Sequence, residues 1–342
     1  MTLPSTTPLP KFDHLLSLTD ERGTFEHARF SNPRPEHGYC TDDVARVLVV
    51  ATREHLPTNA VRGLADLALR FLAAAQSPTG LVRNRMNISG EWTDGPTAKD
   101  CWGRSVWALG TAAAHSDVAA VRSCAVEHFE RAARQRSEYP RAMAFAVLGA
   151  AEILTVSPAN HTAVDLVTHF ANEVSAPNDD PDWPWPEPRL TYANAVLAES
   201  MIAAGVALGR PGLLDHGLAL LAWLVDDHTR DGRLSPSPAA GFGPGDARPA
   251  FDQQPIEVAS IADACARAAL VDDDPKWPDG VLDAAAWFMG DNDSGRVMWD
   301  QETGGGFDGL HSDGVNLNQG AESTLALIST LQHAQRFAIV PQ

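Results

Sequence analysis

The residues best suited to chemistry lie together at positions 37–46, in the stretch HGYCTDDVAR. It holds a histidine, a tyrosine, a cysteine, two aspartates and an arginine, and it leads into an apolar run at 44–51. We expect Thr41 to be the N-cap of a helix with Asp42 and Asp43 in its first turn, where unpaired N–H groups stabilise carboxylates. So many titratable groups in ten residues indicate the edge of a ligand pocket.

The composition and the charge of the chain exclude several classes of protein. Of its 342 residues, 44% are apolar and 20% charged, which is typical of a globular protein. The formal net charge of −18 argues against binding to nucleic acid or to an anionic membrane. There is no 18-residue apolar run and no signal-peptide pattern, so we expect a cytoplasmic protein. The four cysteines lack CxxC spacing, and we expect reduced thiols.

The elements that must position these residues are helices, because apolar residues recur at spacings of three and four and strand-like alternation is rare. The predicted helices span residues 11–19, 41–54, 59–76, 98–114, 117–135, 140–154, 159–174, 192–208, 212–227, 255–271, 277–289 and 319–337.

These helices alternate between two classes, one apolar nearly all round and one amphipathic. A helix that is apolar on every side is buried, so we expect six inner and six outer helices. Glycines inside inner helices, such as Gly110, Gly149 and Gly205, indicate close helix approach. The pattern predicts an all-α, single-domain (α/α)6 toroid over residues 1–342, with a superhelical array of helix hairpins as the alternative. The loops that enter the inner helices are mostly long, which predicts one functional face.

Polar and aromatic side chains collect where the inner helices begin. Tryptophans beside carboxylates and amides indicate a sugar site, because a sugar ring offers C–H faces for stacking and hydroxyls for hydrogen bonds. Prolines stiffen the loop that carries Trp183 and Trp185, and we expect these two rings to form a stacking platform. The predicted sugar-binding residues are His37, Tyr39, Trp102, Arg104, Trp183, Trp185, Tyr192, Asn194, Gln254, Asp308, His311, Asn318 and Gln319.

Other chemistries have little support in the sequence. The glycine run at 304–306 lacks the Lys-Ser/Thr of a P-loop, and no HExxH, CxxC or GxSxG motif occurs. His37, Cys40 and Asp42 offer three potential metal ligands, but this spacing at a helix start is weak evidence for a metal. We therefore expect neither a metal nor a cofactor.

Several separated motifs resemble known proteins. The stretches HGYCTDDVAR (37–46), KDCWGRSVWALG (99–110), WPWPE (183–187) and DGVNLNQGAEST (313–324) resemble a bacterial helical domain that is found attached to, or encoded near, sugar-nucleotide glycosyltransferases. The whole pattern also resembles the (α/α)6-toroid carbohydrate-active enzymes, which include glycoside hydrolases, lyases and sugar 2-epimerases. The resemblance implies an oligosaccharide or polysaccharide substrate and a possible glycosyltransferase partner.

A glycoside hydrolase is the leading hypothesis for function. Such an enzyme needs one carboxylic acid and one carboxylate. We expect Asp43, ahead of Asp42, to act with a carboxylate from across the ring. The candidates are Asp42, Asp43, Asp100, Glu187, Glu257 and Glu322, with Glu257 or Glu322 favoured as the opposite partner.

Ion pairs within a helix could occupy two of these carboxylates. Arg46 lies three residues after Asp43, and Arg104 lies four residues after Asp100. Of Asp42 and Asp43, we expect one to face the pore and the other to cap the helix or to pair with Arg46.

Two other functions remain open. A sugar epimerase or lyase would favour His37, Tyr39 or His311 as proton shuttles. A non-catalytic glycan-binding module that acts with a glycosyltransferase would keep the aromatic residues and could lack a facing pair of carboxylates.

Overall fold

The structure, a computed structural model, describes residues 7–174, 178 and 180–338. Within these residues the α-helices are α1 (Asp13–Ser17), α2 (Thr41–Arg53), α3 (Asn59–Ala75), α4 (Asp100–His115), α5 (Ala119–Ala132), α6 (Pro140–Val156), α7 (His161–Glu173), α8 (Ala195–Leu208), α9 (Pro211–Asp227), α10 (Pro255–Ala268), α11 (Lys276–Phe288) and α12 (Ala321–Ala338). Each helix ends within three residues of its predicted bounds. No helix of the described part is long and apolar enough to cross a bilayer.

The strands of the described residues are all two residues long and form four antiparallel ribbons in the loops. The pairs are β1 (Ala28–Arg29) with β2 (Asn32–Pro33), β3 (Tyr39–Cys40) with β4 (Arg85–Met86), β5 (Thr229–Arg230) with β6 (Arg233–Leu234), and β7 (Gly309–Leu310) with β8 (Val315–Asn316).

The two predicted classes of helix are present and alternate along the chain. In α4 thirteen of sixteen residues are buried, whereas in α5 only four of fourteen are buried. The same contrast separates α6 from α7. The apolar helices therefore form the core, and the amphipathic helices turn one side to solvent.

Loop lengths alternate in the same way. The connections that follow α2, α4, α6, α8 and α10 have two to seven residues. Of the six connections that lead into α2, α4, α6, α8, α10 and α12, five have more than 20 residues. The polar residues singled out in the sequence lie in or directly after these long loops.

The chain divides into two compact units. The first unit comprises residues 15–174 and 203–214, and the second comprises the described parts of 1–14, 175–202 and 215–342. Within the first unit α4 packs against both α2 and α6. A Cβ atom at Gly110 would lie 2.0 Å from the carbonyl oxygen of Gly149, so the predicted close approach of α4 and α6 is present. The prediction of a single domain over the whole chain stays a prediction.

In the second unit, α12 packs against α10 and α11 and binds the N-terminal segment. The Gln335 side chain donates hydrogen bonds to the carbonyl oxygens of Thr7 and Pro8. The Nε2 atom of His14 lies 2.8 Å from the Gln319 carbonyl oxygen. Burial lowers the pKa of this histidine. The N-terminal segment therefore packs against the last helix and the segment directly before it.

Candidate functional site

The helices α2 and α4 of the first unit begin close together because their preceding loops pair. The β3–β4 ribbon sets Cys40 opposite Arg85, and the N–H of Thr41 donates to the Asn84 carbonyl oxygen at 2.9 Å. Asp42 lies in the first turn of α2, and Asp100 is the first residue of α4. The unpaired N–H groups of each helix start stabilise a carboxylate there.

The expected N-cap at Thr41 is wrong. The N-cap position of α2 is Cys40, and its side chain makes no capping hydrogen bond. The Thr41 hydroxyl instead donates to the Arg83 carbonyl oxygen at 2.7 Å. The loop that enters α4 competes for this hydroxyl, and the sequence pattern around α2 holds no sign of that distant partner.

Arg104 lies between the two carboxylates. Its Nε is 3.4 Å from Oδ1 of Asp42, and its Nη2 is 3.8 Å from Oδ2 of Asp100. The Arg104 side chain is only 5% exposed and lies over the ring of Phe145, 4.5 Å from the ring centroid. The side chains of Asp42 and Asp100 are 18% and 27% exposed, so both remain reachable from solvent.

Some buried polar atoms of Arg104 and Asp42 lack a hydrogen-bond partner among the described residues. Among the described residues, Nε and Nη1 of Arg104 and Oδ1 of Asp42 have no hydrogen-bond partner that meets normal geometry. Buried polar atoms are nearly always hydrogen-bonded, and exceptions point to a functional role. We call Asp42, Asp100 and Arg104 the Arg104 cluster.

Asp43 has different surroundings from its neighbour. Its side chain is buried, and its Oδ1 accepts a hydrogen bond from Nη1 of Arg46 at 2.7 Å. Asp43 thus makes the predicted pair with Arg46, and Asp42 remains partly exposed, whereas the prediction that one of the two faces the pore stays a prediction. The preference for Asp43 over Asp42 as the reacting group stays untested, but the buried ion pair weighs against it.

One group of side chains near Asp43 has the composition of a metal site. Ligand atoms of Glu26, Cys40 and Asp43 lie within 4.8 Å of one another. Glu26 pairs with Arg85, and Asp43 pairs with Arg46. Burial, together with the nearby Asp43 and Asp42 charges, raises the pKa of the Cys40 thiol well above its usual value. The carboxylates are already paired with arginines, so this group fits a metal poorly.

Two predicted sugar-binding residues of the first unit are core residues. Tyr39 is fully buried, and its hydroxyl donates to Oδ2 of Asp20 at 2.6 Å. Burial and this carboxylate raise the Tyr39 pKa. Trp102 is also fully buried, and its Nε1 donates to the Ala132 carbonyl oxygen at 3.0 Å. His37 is exposed and lies edge-on to His27, with ring centroids 5.0 Å apart.

In the second unit, Glu257 anchors the start of α8. This buried carboxylate accepts hydrogen bonds from the main-chain N–H groups of Ala193 and Asn194. It also accepts from Nδ2 of Asn194 at 2.9 Å, while Oδ1 of Asn194 accepts from the Thr191 N–H. These bonds give Glu257 and Asn194 a structural role, and the catalytic and sugar-binding roles predicted for them stay untested.

The tryptophans of the predicted stacking platform are buried. Trp183 and Trp185 are 6% and 1% exposed, and both pack against Trp223, with ring centroids 5.5 and 6.0 Å away. The Nε1 of Trp183 donates to the Glu187 carbonyl oxygen at 3.0 Å. Neither ring can offer an open face to a sugar in this arrangement, which contradicts the predicted platform. The Pro-rich loop turns its rings inward because large apolar rings gain more from burial than from exposure.

Several predicted residues lie around the start of α12. Asp308 accepts hydrogen bonds from the Gly320 N–H at 2.8 Å and the Ser323 hydroxyl at 2.5 Å, so it caps the helix. The Gln319 side chain is buried and contacts Asp300 and Thr303.

The other predicted residues are at least partly exposed, namely Glu187, Tyr192, Gln254, Asn318 and Glu322.

The loops that enter α10 and α12 bring together a histidine and an aspartate. Nδ1 of His311 lies 2.7 Å from Oδ1 of Asp252, and the two side chains are 39% and 56% exposed. This leaves Nε2 of the ring for another partner, which is the usual arrangement of a histidine acid–base. Asp252 is absent from the predicted sites. Its position in the loop just before an inner helix is the signal that could have found it.

Solved structures of enzymes that act on sugars are similar to this chain. A sugar epimerase from a ruminal bacterium matches with a TM-score of 0.71 and 12% identity over 95% of each chain. Cellobiose 2-epimerase from Bacillus thermoamylovorans matches with a TM-score of 0.71 and 11% identity over 96% of each chain. An inactive α-1,6-mannanase variant of Salegentibacter, in complex with α-1,6-mannotetrose, matches with a TM-score of 0.64 and 10% identity, over 95% of this chain and 96% of the mannanase.

The comparisons establish the fold. At these identities the similarity shows the architecture alone, and the predicted all-α, (α/α)6-toroid class is confirmed. No family model and no curated protein sequence matches the chain. The association with a glycosyltransferase, which the sequence motifs imply, stays a prediction.

Proposed function

We propose that the protein is a carbohydrate-active enzyme and, within that class, a glycoside hydrolase that acts on an oligosaccharide or polysaccharide. The Arg104 cluster carries the proposal, because it presents two carboxylates with partly exposed side chains at the starts of two inner helices. Glycoside hydrolysis uses one carboxyl group as the acid and another as the base or nucleophile. We assign these two roles to the pair Asp42 and Asp100 and do not specify which of the two is the acid.

The contacts of Arg104 set an upper limit on the distance between the two carboxylates. One oxygen of Asp42 and one oxygen of Asp100 lie 3.4 and 3.8 Å from nitrogens of the same guanidinium group. These two oxygens are therefore within about 10 Å of each other, and the carboxyl pairs of glycoside hydrolases fall below that limit. The solvent-exposed parts of the Asp42 and Asp100 side chains can accept a hydrogen bond from a sugar hydroxyl, whereas the unpaired Nε and Nη1 of Arg104 and Oδ1 of Asp42 are buried.

The mannanase supports the same assignment. Its inactive variant carries alanine in place of two consecutive aspartates. Among the adjacent aspartates of this chain, Asp42 and Asp43 lie in the first turn of a buried inner helix. The proposal places the reacting carboxylate of that pair at Asp42, because Asp43 is paired with Arg46.

The His311–Asp252 pair favours a second function, that of a sugar epimerase. Inverting a carbon next to a carbonyl requires a base that removes a proton and an acid that returns one. A histidine oriented by a carboxylate can do both, and cellobiose 2-epimerase and a sugar epimerase are among the structures similar to this chain.

Reaction in D2O separates the two functions. The purified protein is incubated with manno- and cello-oligosaccharides, and the products are read by mass spectrometry and NMR. A hydrolase yields shorter sugars without deuterium on carbon, and Asp42→Asn should abolish their release. An epimerase yields sugars of unchanged length with one deuterium on carbon, and His311→Gln should abolish that exchange. The hydrolase proposal fails if deuterium enters carbon while no shorter sugar forms.

A further inference from the structure

Gln253 lies at the centre of the segment that carries Asp252. It is fully buried, and it forms an isolated antiparallel bridge with Leu310. The N–H of each residue donates to the carbonyl oxygen of the other at 2.9 Å. Because the bridge is antiparallel, the position before Gln253 faces the position after Leu310. Those positions are Asp252 and His311, so the bridge sets the two side chains opposite each other.

The buried side chain of Gln253 holds the bridged residue in place through three hydrogen bonds. Its Nε2 donates to the Ala250 carbonyl oxygen at 2.8 Å and to Oδ2 of Asp293 at 2.5 Å. Its Oε1 accepts from Nε1 of Trp287 at 2.8 Å. A glutamine amide has two N–H donors, and both are used here together with its oxygen. One side chain thus joins its own loop, helix α11 and the segment that follows α11.

We propose that Gln253 is the positioning residue of the His311–Asp252 pair. By fixing the bridge to Leu310, it holds Asp252 against Nδ1 of His311 and leaves Nε2 of His311 as the atom that transfers protons. The proposal rests on the proton-transfer role given to this pair in the second proposed function. It predicts a specific state of the ring that can be observed without any substrate.

That state is the tautomer of neutral His311. A carboxylate at Nδ1 accepts a hydrogen bond, so the neutral ring must carry its proton on Nδ1 and leave Nε2 unprotonated. A neutral histidine without such a partner in water favours the proton on Nε2. The tautomer therefore reports whether Asp252 is held in place, which the overall stability of the protein does not.

Long-range ¹H–¹⁵N NMR at about pH 9, where histidine is neutral, measures the tautomer. His311→Gln assigns the signals. We expect the parent protein to show a protonated Nδ1 and an unprotonated Nε2 at His311. Gln253→Met keeps the side-chain length but removes the amide, and Asp252→Ala removes the acceptor at Nδ1 of His311. We expect both variants to move the two nitrogen shifts toward those of an exposed histidine.

Gln135→Met is the matched control, because Nε2 of Gln135 also donates to a main-chain carbonyl, that of Thr79, at 2.7 Å. It should leave the His311 signals unchanged. If Gln253→Met does not fold, Asp293→Ala removes one acceptor of the same amide and should shift the signals in the same direction. The proposal is overturned if Gln253→Met folds and keeps the parent tautomer while Asp252→Ala loses it. It is equally overturned if parent His311 carries its proton on Nε2.

The proposed function can fail separately. If the tautomers change as expected but His311→Gln leaves turnover intact, Gln253 positions the pair and the pair does not transfer protons. In that case the epimerase function is lost, and the positioning role of Gln253 remains.

Discussion

The helices α2 and α10 both begin with a carboxylate in the first turn, yet the two regions use it differently. Glu257 of α10 is buried and accepts hydrogen bonds from main-chain N–H groups of the segment before α8. Asp42 of α2 faces a guanidinium group, remains partly exposed and keeps one oxygen without a hydrogen-bond partner among the described residues. A carboxylate bound to main-chain donors anchors the fold, whereas one that is partly open beside a buried arginine can meet a substrate.

The sharpest test of the anchoring role is Glu257→Gln. The NH2 group that replaces one oxygen would face either the N–H of Ala193, at the Oε1 position, or the N–H groups of Asn194, at the Oε2 position. Either orientation leaves a buried donor without its acceptor. We expect the free energy of unfolding to fall by about 4 kcal/mol, as measured by urea denaturation. Glu322→Gln, at an exposed position in the first turn of α12, is the control and should change it little. Equal stability of both variants would remove the contrast between α10 and α2.

A somewhat smaller effect is expected for Asp43→Asn. The change breaks a buried ion pair with Arg46, but the amide oxygen can still accept a hydrogen bond. We expect a loss of about 3 kcal/mol in the free energy of unfolding. Asp66→Asn breaks the exposed pair with Arg70 and should have little effect in the same measurement. If Asp43→Asn is as stable as the parent, Asp43 is not an anchor and becomes a candidate for the reaction again.

The smallest change in stability among the anchoring residues is expected for Trp183→Phe. This substitution keeps a ring in the aromatic cluster and removes the hydrogen bond to the Glu187 carbonyl oxygen. We expect a loss of about 1 kcal/mol in the free energy of unfolding. Calorimetric affinity for a glycan that the parent binds should stay the same. A weaker affinity with unchanged stability would restore Trp183 as part of a sugar platform.

The helices could be predicted from the sequence because their signal is local. The apolar run after Asp43 and the polar residues near 54 define α2 almost to the residue, and α3 likewise begins at Asn59 as predicted. Alternation of buried and amphipathic helices then predicted the toroid. These features depend on periodicity within about 15 residues, which a sequence shows directly.

The candidate site was less predictable because its contacts are distant in sequence. Arg104 could be foreseen as the partner of Asp100, four residues away, but its approach to Asp42 depends on how two loops pair. The His311–Asp252 contact spans 59 positions and depends on a single strand bridge. Trp185, in the loop before α8, packs against Trp223, which lies in helix α9. No periodic pattern in the sequence encodes such contacts.

The proposed reaction at the carboxylates of the Arg104 cluster is best tested by the turnover of Asp42→Asn and Asp100→Asn. The substrate is an oligosaccharide that the parent cleaves, and each variant is first shown by urea denaturation to be folded and about as stable as the parent. We expect turnover to fall at least about 100-fold in both variants, because each loses a group that transfers a proton or attacks carbon. Near-parent turnover in either folded variant would contradict the proposal.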